Sequence, residues 1–190
     1  PRAVVVDVFE EAGTSRVRVV SGDRLGLLAD AAAMLALQKL SVRGARVWTQ
    51  EGKHPVGVSE WVLDEEGLDA AVLRQRLEAI AEGRLDPAVR LERPAPARRA
   101  PVVVQHFEAS RSATVIEVRA DDRPGLIYTV CRALAQLGIS VKSAHVATLG
   151  PQAVDVFYVQ EAGAEEPLTA GRAAVAVTTL LDALLAIVAE

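Results

Sequence analysis

Two short runs hold residue types that suit a small zwitterion: Asp23-Arg24-Leu25-Gly26-Leu27 and Asp122-Arg123-Pro124-Gly125-Leu126. In each, an acid is followed by a Gly-Leu pair that opens a stretch with helical apolar spacing, so the run falls where a strand ends and a helix begins. A helix start presents unpaired N–H groups at the positive end of its dipole, a setting that suits a carboxylate. Gly26 and Gly125 leave the backbone open to close approach, having no Cβ. Asp23 and Asp122 are able either to cap the helix or to accept a hydrogen bond from an ammonium group. Such a corner offers both poles that an α-amino acid needs. A single copy is read equally well as plain packing, with the acid capping and the arginine in water. Two copies in the same context favour ligand binding.

The elements that position these runs are themselves repeated. Shifting the chain by 99 positions lays Asp23, Arg24, Gly26 and Leu27 on Asp122, Arg123, Gly125 and Leu126. The same shift lays Leu35, Ser41, Val42, Ala45, Val47 and Thr49 on Leu134, Ser140, Val141, Ala144, Val146 and Thr148. The lead-in AVVVDVFE at 3–10 answers PVVVQHFE at 101–108. The chain therefore holds two copies of one unit, expected at 1–93 and 102–190, with the Pro/Arg-rich stretch at 94–101 as a semi-rigid linker.

Within a unit the hydrophobic period switches. Residues 4–9 and 16–20 read as a hairpin, 26–39 as a helix, 42–49 and 56–63 as strands, and 68–81 as a second helix. The second copy repeats this at 102–107, 114–119, 125–137, 139–149, 153–159 and 169–189. The order predicts an α+β fold of two ferredoxin-like βαββα units, each a four-stranded antiparallel sheet with two helices on one face. Strand 102–107 is expected beside the strand that follows it. In the first copy both 4–9 and 89–92 compete for that place. The edges next to 42–49 and 141–149 are exposed templates unless they pair with each other, within one chain or between two.

Composition narrows the function. Of 190 residues, 21 are basic and 25 acidic, a net charge of −4 that gives no footprint for nucleic acid. One cysteine, Cys131, excludes a disulfide framework within the chain and a multi-thiolate zinc site, and fits a reducing cytoplasm; on the helix, it reads as a small buried apolar residue. The apolar run at 173–189 is short of the ~20 residues a spanning helix needs and contains Asp182, so no membrane role is expected. His54, His106 and His145 are far apart in sequence, and no nucleophile–base pair or metal constellation stands out. His145 reads as a structural or lining residue. No catalytic residue, metal ligand or cofactor is assigned. The chain opens on Pro1, as a piece of something longer would.

The loop DRPGL, the stretch YTVCRALAQLGISV, and SAHVATLG followed by VDVFYV (143–150 and 154–159) resemble ACT domains. More narrowly, they resemble the C-terminal ACT pair of the uridylyltransferase/uridylyl-removing family that modifies the signal protein PII. The first copy departs from that pattern, with Leu25 where proline is usual and Gln38-Lys39 where Leu-Gly is usual. The resemblance implies a glutamine-sensing regulatory region serving nitrogen signalling, with the catalytic domains elsewhere in the parent enzyme and PII a possible partner. It implies a ligand head group at Asp122 and the backbone of Gly125 and Leu126, closed by Ser41 and Val42 of the other copy. The reciprocal site has Asp23, Gly26 and Leu27 with Ser140 and Val141. A homodimer through the ACT edges would build the same sites. Two other readings remain open: a free-standing tandem regulator with another amino acid, and a docking module with none.

Overall fold

A computed structural model describes residues 3–91, 98–164 and 166–186. The first repeat runs β1 (Val5–Glu11), β2 (Thr14–Gly22), α1 (Leu27–Leu37), β3 (Val42–Gln50), β4 (Val56–Leu63), α2 (Ala70–Ala81) and a short helix α3 (Pro87–Arg90). The second runs β5 (Val102–His106), β6 (Thr114–Asp121), α4 (Leu126–Gln136), β7 (Ile139–Leu149), β8 (Gln152–Glu161) and α5 (Ala170–Ala186). Each is the expected unit preceded by a hairpin strand.

The leading strands fill the places anticipated for them. β1 lies antiparallel to β2, with Val8 opposite Val17, and β5 lies antiparallel to β6, with Val103 opposite Val118. The competing stretch at 89–92 forms no strand: Val89 and Arg90 belong to α3, which starts at Pro87 behind an Asp86 cap, and residue 92 is outside the described residues. Proline at a first helical position costs no hydrogen bond, so the local sequence favours this turn of helix. Residues 94–97 of the expected linker and 187–189 of the expected last helix also lie outside the described residues.

The two sheets are one. Strand order is β1-β2-β4-β3-β7-β8-β6-β5, an eight-stranded antiparallel sheet joined at its centre by β3 and β7. Gly44 pairs with Ala147, Ala45 with Val146, Arg46 with His145 and Val47 with Ala144. The edges that sequence left as templates are thus paired with each other inside one chain, and β1 and β5 are the outer strands.

All four long helices pack on one face. α1 contacts α4 and α2, and α4 contacts α5. Alternate strand residues reach that layer: Val17, Val19, Trp61, Leu63, Ile116, Val118, Phe157 and Val159 are buried. The opposite face carries charge, with Arg18 bonded to Glu60 at 2.6 Å and His106 to Glu117 at 3.0 Å. α1 (LLADAAAMLAL) is wedged between sheet, α2 and α4, which explains why Ala29, Ala31, Ala32, Ala33 and Ala36 are all buried. Methyl-sized side chains let α1 approach α4 closely, and this contact brings each loop to the other repeat.

Candidate functional site

Both Asp-Arg-X-Gly-Leu runs end on the first residue of a helix, α1 or α4. Gly26 and Gly125 are the N-cap residues, at φ 84° and 86°, in the left-handed region. Of the two possible roles for the acids, capping is not used: no side chain caps either helix. Asp23 and Asp122 stand three residues earlier, where their amides donate to the carbonyls of Pro55 and Pro151, each at 3.0 Å. The glycine requirement is mainly one of backbone angle. A Cβ on Gly125 would find no neighbour nearer than Leu91 Cδ1 at 3.8 Å, but an L side chain strains at that φ.

Each uncapped helix start faces a cleft at the joint. The first cleft is lined by Asp23, Gly26 and Leu27 of one repeat and by Ser140 and Val141 of the other, with Trp48, Ser59 and Cys131 behind them. The second is lined by Asp122, Gly125 and Leu126, by Ser41 and Val42, and by Trp61, Tyr128 and Asp155. They enclose about 530 and 590 Å³, space that includes open solvent, a size common for small-molecule pockets. All ten residues singled out in the sequence fall into these two groups, five to a cleft. The α1–α4 contact and the β3–β7 pairing hold them together.

The clefts are alike in plan and unlike in charge. In the first, Thr49 Oγ1 donates to Asp23 at 3.3 Å, and Arg24 is drawn outward by an ion pair with Asp30 on α1. In the second, the residue equivalent to Asp30 is Thr129, whose hydroxyl donates to the Gly125 carbonyl at 3.0 Å. Arg123 has no such carboxylate among the described residues, and its Nη1 is buried with no hydrogen-bond partner among them. Burial holds the Arg123 pKa below its usual value, Asp121 partly offsetting this. Asp122 is exposed at the mouth, its pKa raised by desolvation of the carboxyl and then by the nearby charge of Asp64.

Asp155 is the residue that sequence reasoning missed. It lies opposite Val118 on β6 and Val146 on β7, side chain inward, 0% exposed. Neither carboxylate oxygen meets a well-formed hydrogen bond among the described residues, although the Ala147 amide stands close enough to act on it. Burial pushes its pKa up to about 7, the Ala147 amide offsetting part of this and the Asp122 charge adding to it. Ser59 holds the equivalent place in the first repeat, opposite Val19 and Val47, and its hydroxyl accepts from Trp61 Nε1 at 2.9 Å. Cys131 is buried as expected, and burial raises its thiol pKa far out of the physiological range. His145, expected as a structural or lining residue, lines neither cleft: it is exposed on the charged sheet face, because strand alternation turns Ala144 and Val146 inward instead.

Residues 114–175 match the family of the ACT domain. The second repeat is an ACT domain. The first repeat shares its fold, and the two repeats together are similar to the crystal structure of aspartate kinase from Synechocystis. That likeness has a TM-score of 0.52 at 22% identity, over 90% of this chain and 26% of that one, and bears on fold alone. In sequence the chain is 43% identical, over 80% of its length, to the bifunctional uridylyltransferase/uridylyl-removing enzyme of Streptomyces coelicolor. It is 32% identical, over 93% of its length, to that of Phenylobacterium zucineum. The chain spans about a fifth of each of these relatives, 20% in both cases, and corresponds to their C-terminal region. Among the described residues, no helix is long and apolar enough to cross a membrane and no cluster of His, Cys, Asp or Glu suits a metal.

Proposed function

We propose that this chain is the glutamine-sensing regulatory region of a uridylyltransferase/uridylyl-removing enzyme acting on PII in the cytoplasm. Residues 1–93 and 102–190 are its two ACT domains, with 94–101 as the linker between them. Catalysis belongs to domains outside this chain, and occupancy of the clefts biases how those domains engage PII. What carries the reading is that each cleft combines an uncapped helix start and an acid from one repeat with the strand opening of the other. A free amino acid presents the matching pair of charges: its carboxylate to the N–H groups of the helix start, its ammonium to Asp23 or Asp122. Because both repeats contribute to each cleft, a bound ligand bridges the joint, which is a means of transmitting occupancy.

The test is a calorimetric titration of the intact chain with L-glutamine, paired with its melting temperature. Saturable heat and a rise in melting temperature are expected, about 2.7 kcal/mol of stabilisation at a hundredfold excess over Kd. Gly125→Val, which strains the second helix start, should remove the heat of that cleft. A flat melting temperature up to saturating millimolar glutamine would rule the reading out.

A further inference from the structure

The second cleft contains two buried polar groups left short of partners. Asp155 sits in it fully buried, with no well-formed hydrogen bond to either carboxylate oxygen among the described residues and the Ala147 amide near; Nη1 of Arg123 is likewise buried and without a hydrogen-bond partner among them. Native proteins rarely leave such atoms unmet, because an unpaired buried charge loses its hydration without compensation. The fold does not require an acid at this place, since Ser59 occupies the equivalent position in the first repeat with its hydroxyl already satisfied by Trp61. The acid is therefore a property of the second cleft and not of the architecture.

Position within the cleft says which part of a ligand it meets. Asp122 and the start of α4 are at the exposed mouth, where the common head group of an amino acid is held under the reading above, on which this step rests. The side chain of that ligand then points inward, to Asp155. We infer that Asp155 is a specificity-determining residue: it admits side chains ending in an N–H donor and rejects those ending in a carboxylate. A carboxamide satisfies both orphans, its NH₂ donating to Asp155 and its carbonyl accepting from Arg123. A carboxylate in the same place meets Arg123 but is repelled by Asp155 once that group is ionised, so the titrations below are run at pH 8. An ammonium meets Asp155 but leaves Arg123 unpaired. The first cleft, with a neutral serine there, lacks this filter.

Trp61 lines the second cleft, but its indole N–H bonds to Ser59 of the first, so removing Trp48 alone does not separate the two. In a chain carrying Trp48→Phe, which leaves one tryptophan, and Asp23→Ala, which weakens the first cleft, the fluorescence of Trp61 is titrated with L-glutamine, L-glutamate, L-asparagine, L-aspartate and L-lysine. Glutamine should bind at least tenfold more tightly than glutamate. Asp155→Ser, which installs the first repeat's residue, should cut that ratio below about threefold, mainly by weakening glutamine, and Asp155→Asn should also relax the rejection of glutamate. Melting temperatures no lower than the parent's would show that both variants fold. A ratio unchanged by either variant, or glutamate binding as tightly as glutamine in the parent, overturns the inference. If glutamine does not bind but another donor-ended amino acid does, with an Asp155-dependent preference over its acid, the filter stands and glutamine is the wrong ligand. If none of the five moves Trp61, the filter is overturned.

Discussion

Thr148 Oγ1 donates a hydrogen bond to the carbonyl of Val42 at 3.3 Å, tying a wall of the second cleft to the strand opening of the first repeat. Its counterpart Thr49 turns back instead to Asp23 in its own repeat. Equivalent residues thus lock the joint on one side and restrain a ligand acid on the other.

Thr148→Val should therefore cost about 1 kcal/mol of unfolding free energy, the worth of one hydrogen bond whose acceptor is left inside. It should also weaken binding at the second cleft. Thr49→Val should leave the joint intact and remove one hydrogen bond from the Asp23 carboxylate. Denaturant unfolding of the two variants beside the parent checks the asymmetry; equal losses would count against it.

The two loop acids should differ in weight. Pro124 restrains the second loop before any ligand arrives, whereas Leu25 leaves the first loop with more freedom to lose. Asp23 is also shared with Thr49. Asp122→Ala is expected to weaken glutamine binding roughly tenfold or more, the loss of one charge-assisted hydrogen bond, and Asp23→Ala less. Calorimetry on the single variants decides the order, and equal or reversed losses would contradict it.

Asp155 makes a prediction in pH that needs no ligand. Its pKa is raised on folding from 3.8 to about 7, so the native chain binds more protons than the unfolded one between those values. A raised folded-state pKa gives stability that is full below pH 4 and is lost as pH rises through 7, on the order of 4 kcal/mol by pH 8 if burial alone sets it. The groups that bear on Asp155 are Asp122 at the mouth, Arg123 in the same cleft and Cys131 on α4. Relative to the parent, Asp155→Ser should gain stability at pH 8 and little at pH 4 to 5. A difference independent of pH would show that Asp155 is not a buried acid in the folded chain.

Much of the fold was legible because its signals are local. The doubled lead-in placed the second hairpin strand, leaving the first contested by 89–92 until α3 formed there, and the switch from period two to helical spacing placed α1 and α4. The departure of Lys39 from glycine was visible too, and its consequence is a lysine at φ 57°, where Gly138 in the second repeat has φ 73°. Asp155 was not legible as a site residue. Val154, Val156 and Tyr158 on one side of β8 are as apolar as Ala153, Phe157 and Val159 on the other, so alternation did not say which way Asp155 points. Only pairing with β6 and β7, one from either side, turns it into the cleft. Whether Asp23 and Asp122 cap the helix was open in the sequence for a related reason: only the backbone shows that glycine holds the N-cap place.

A cleft shared between the two repeats should bind glutamine, and Trp61 fluorescence in the Trp48→Phe, Asp23→Ala chain, titrated with L-glutamine with and without Ser41→Arg, measures this. Ser41 belongs to the first repeat, yet it lines the cleft whose loop belongs to the second. A saturable change in Trp61 is expected, with at least a tenfold weakening when arginine intrudes from across the joint. A Trp61 signal that glutamine never moves, or an affinity that Ser41→Arg leaves unchanged, would contradict it.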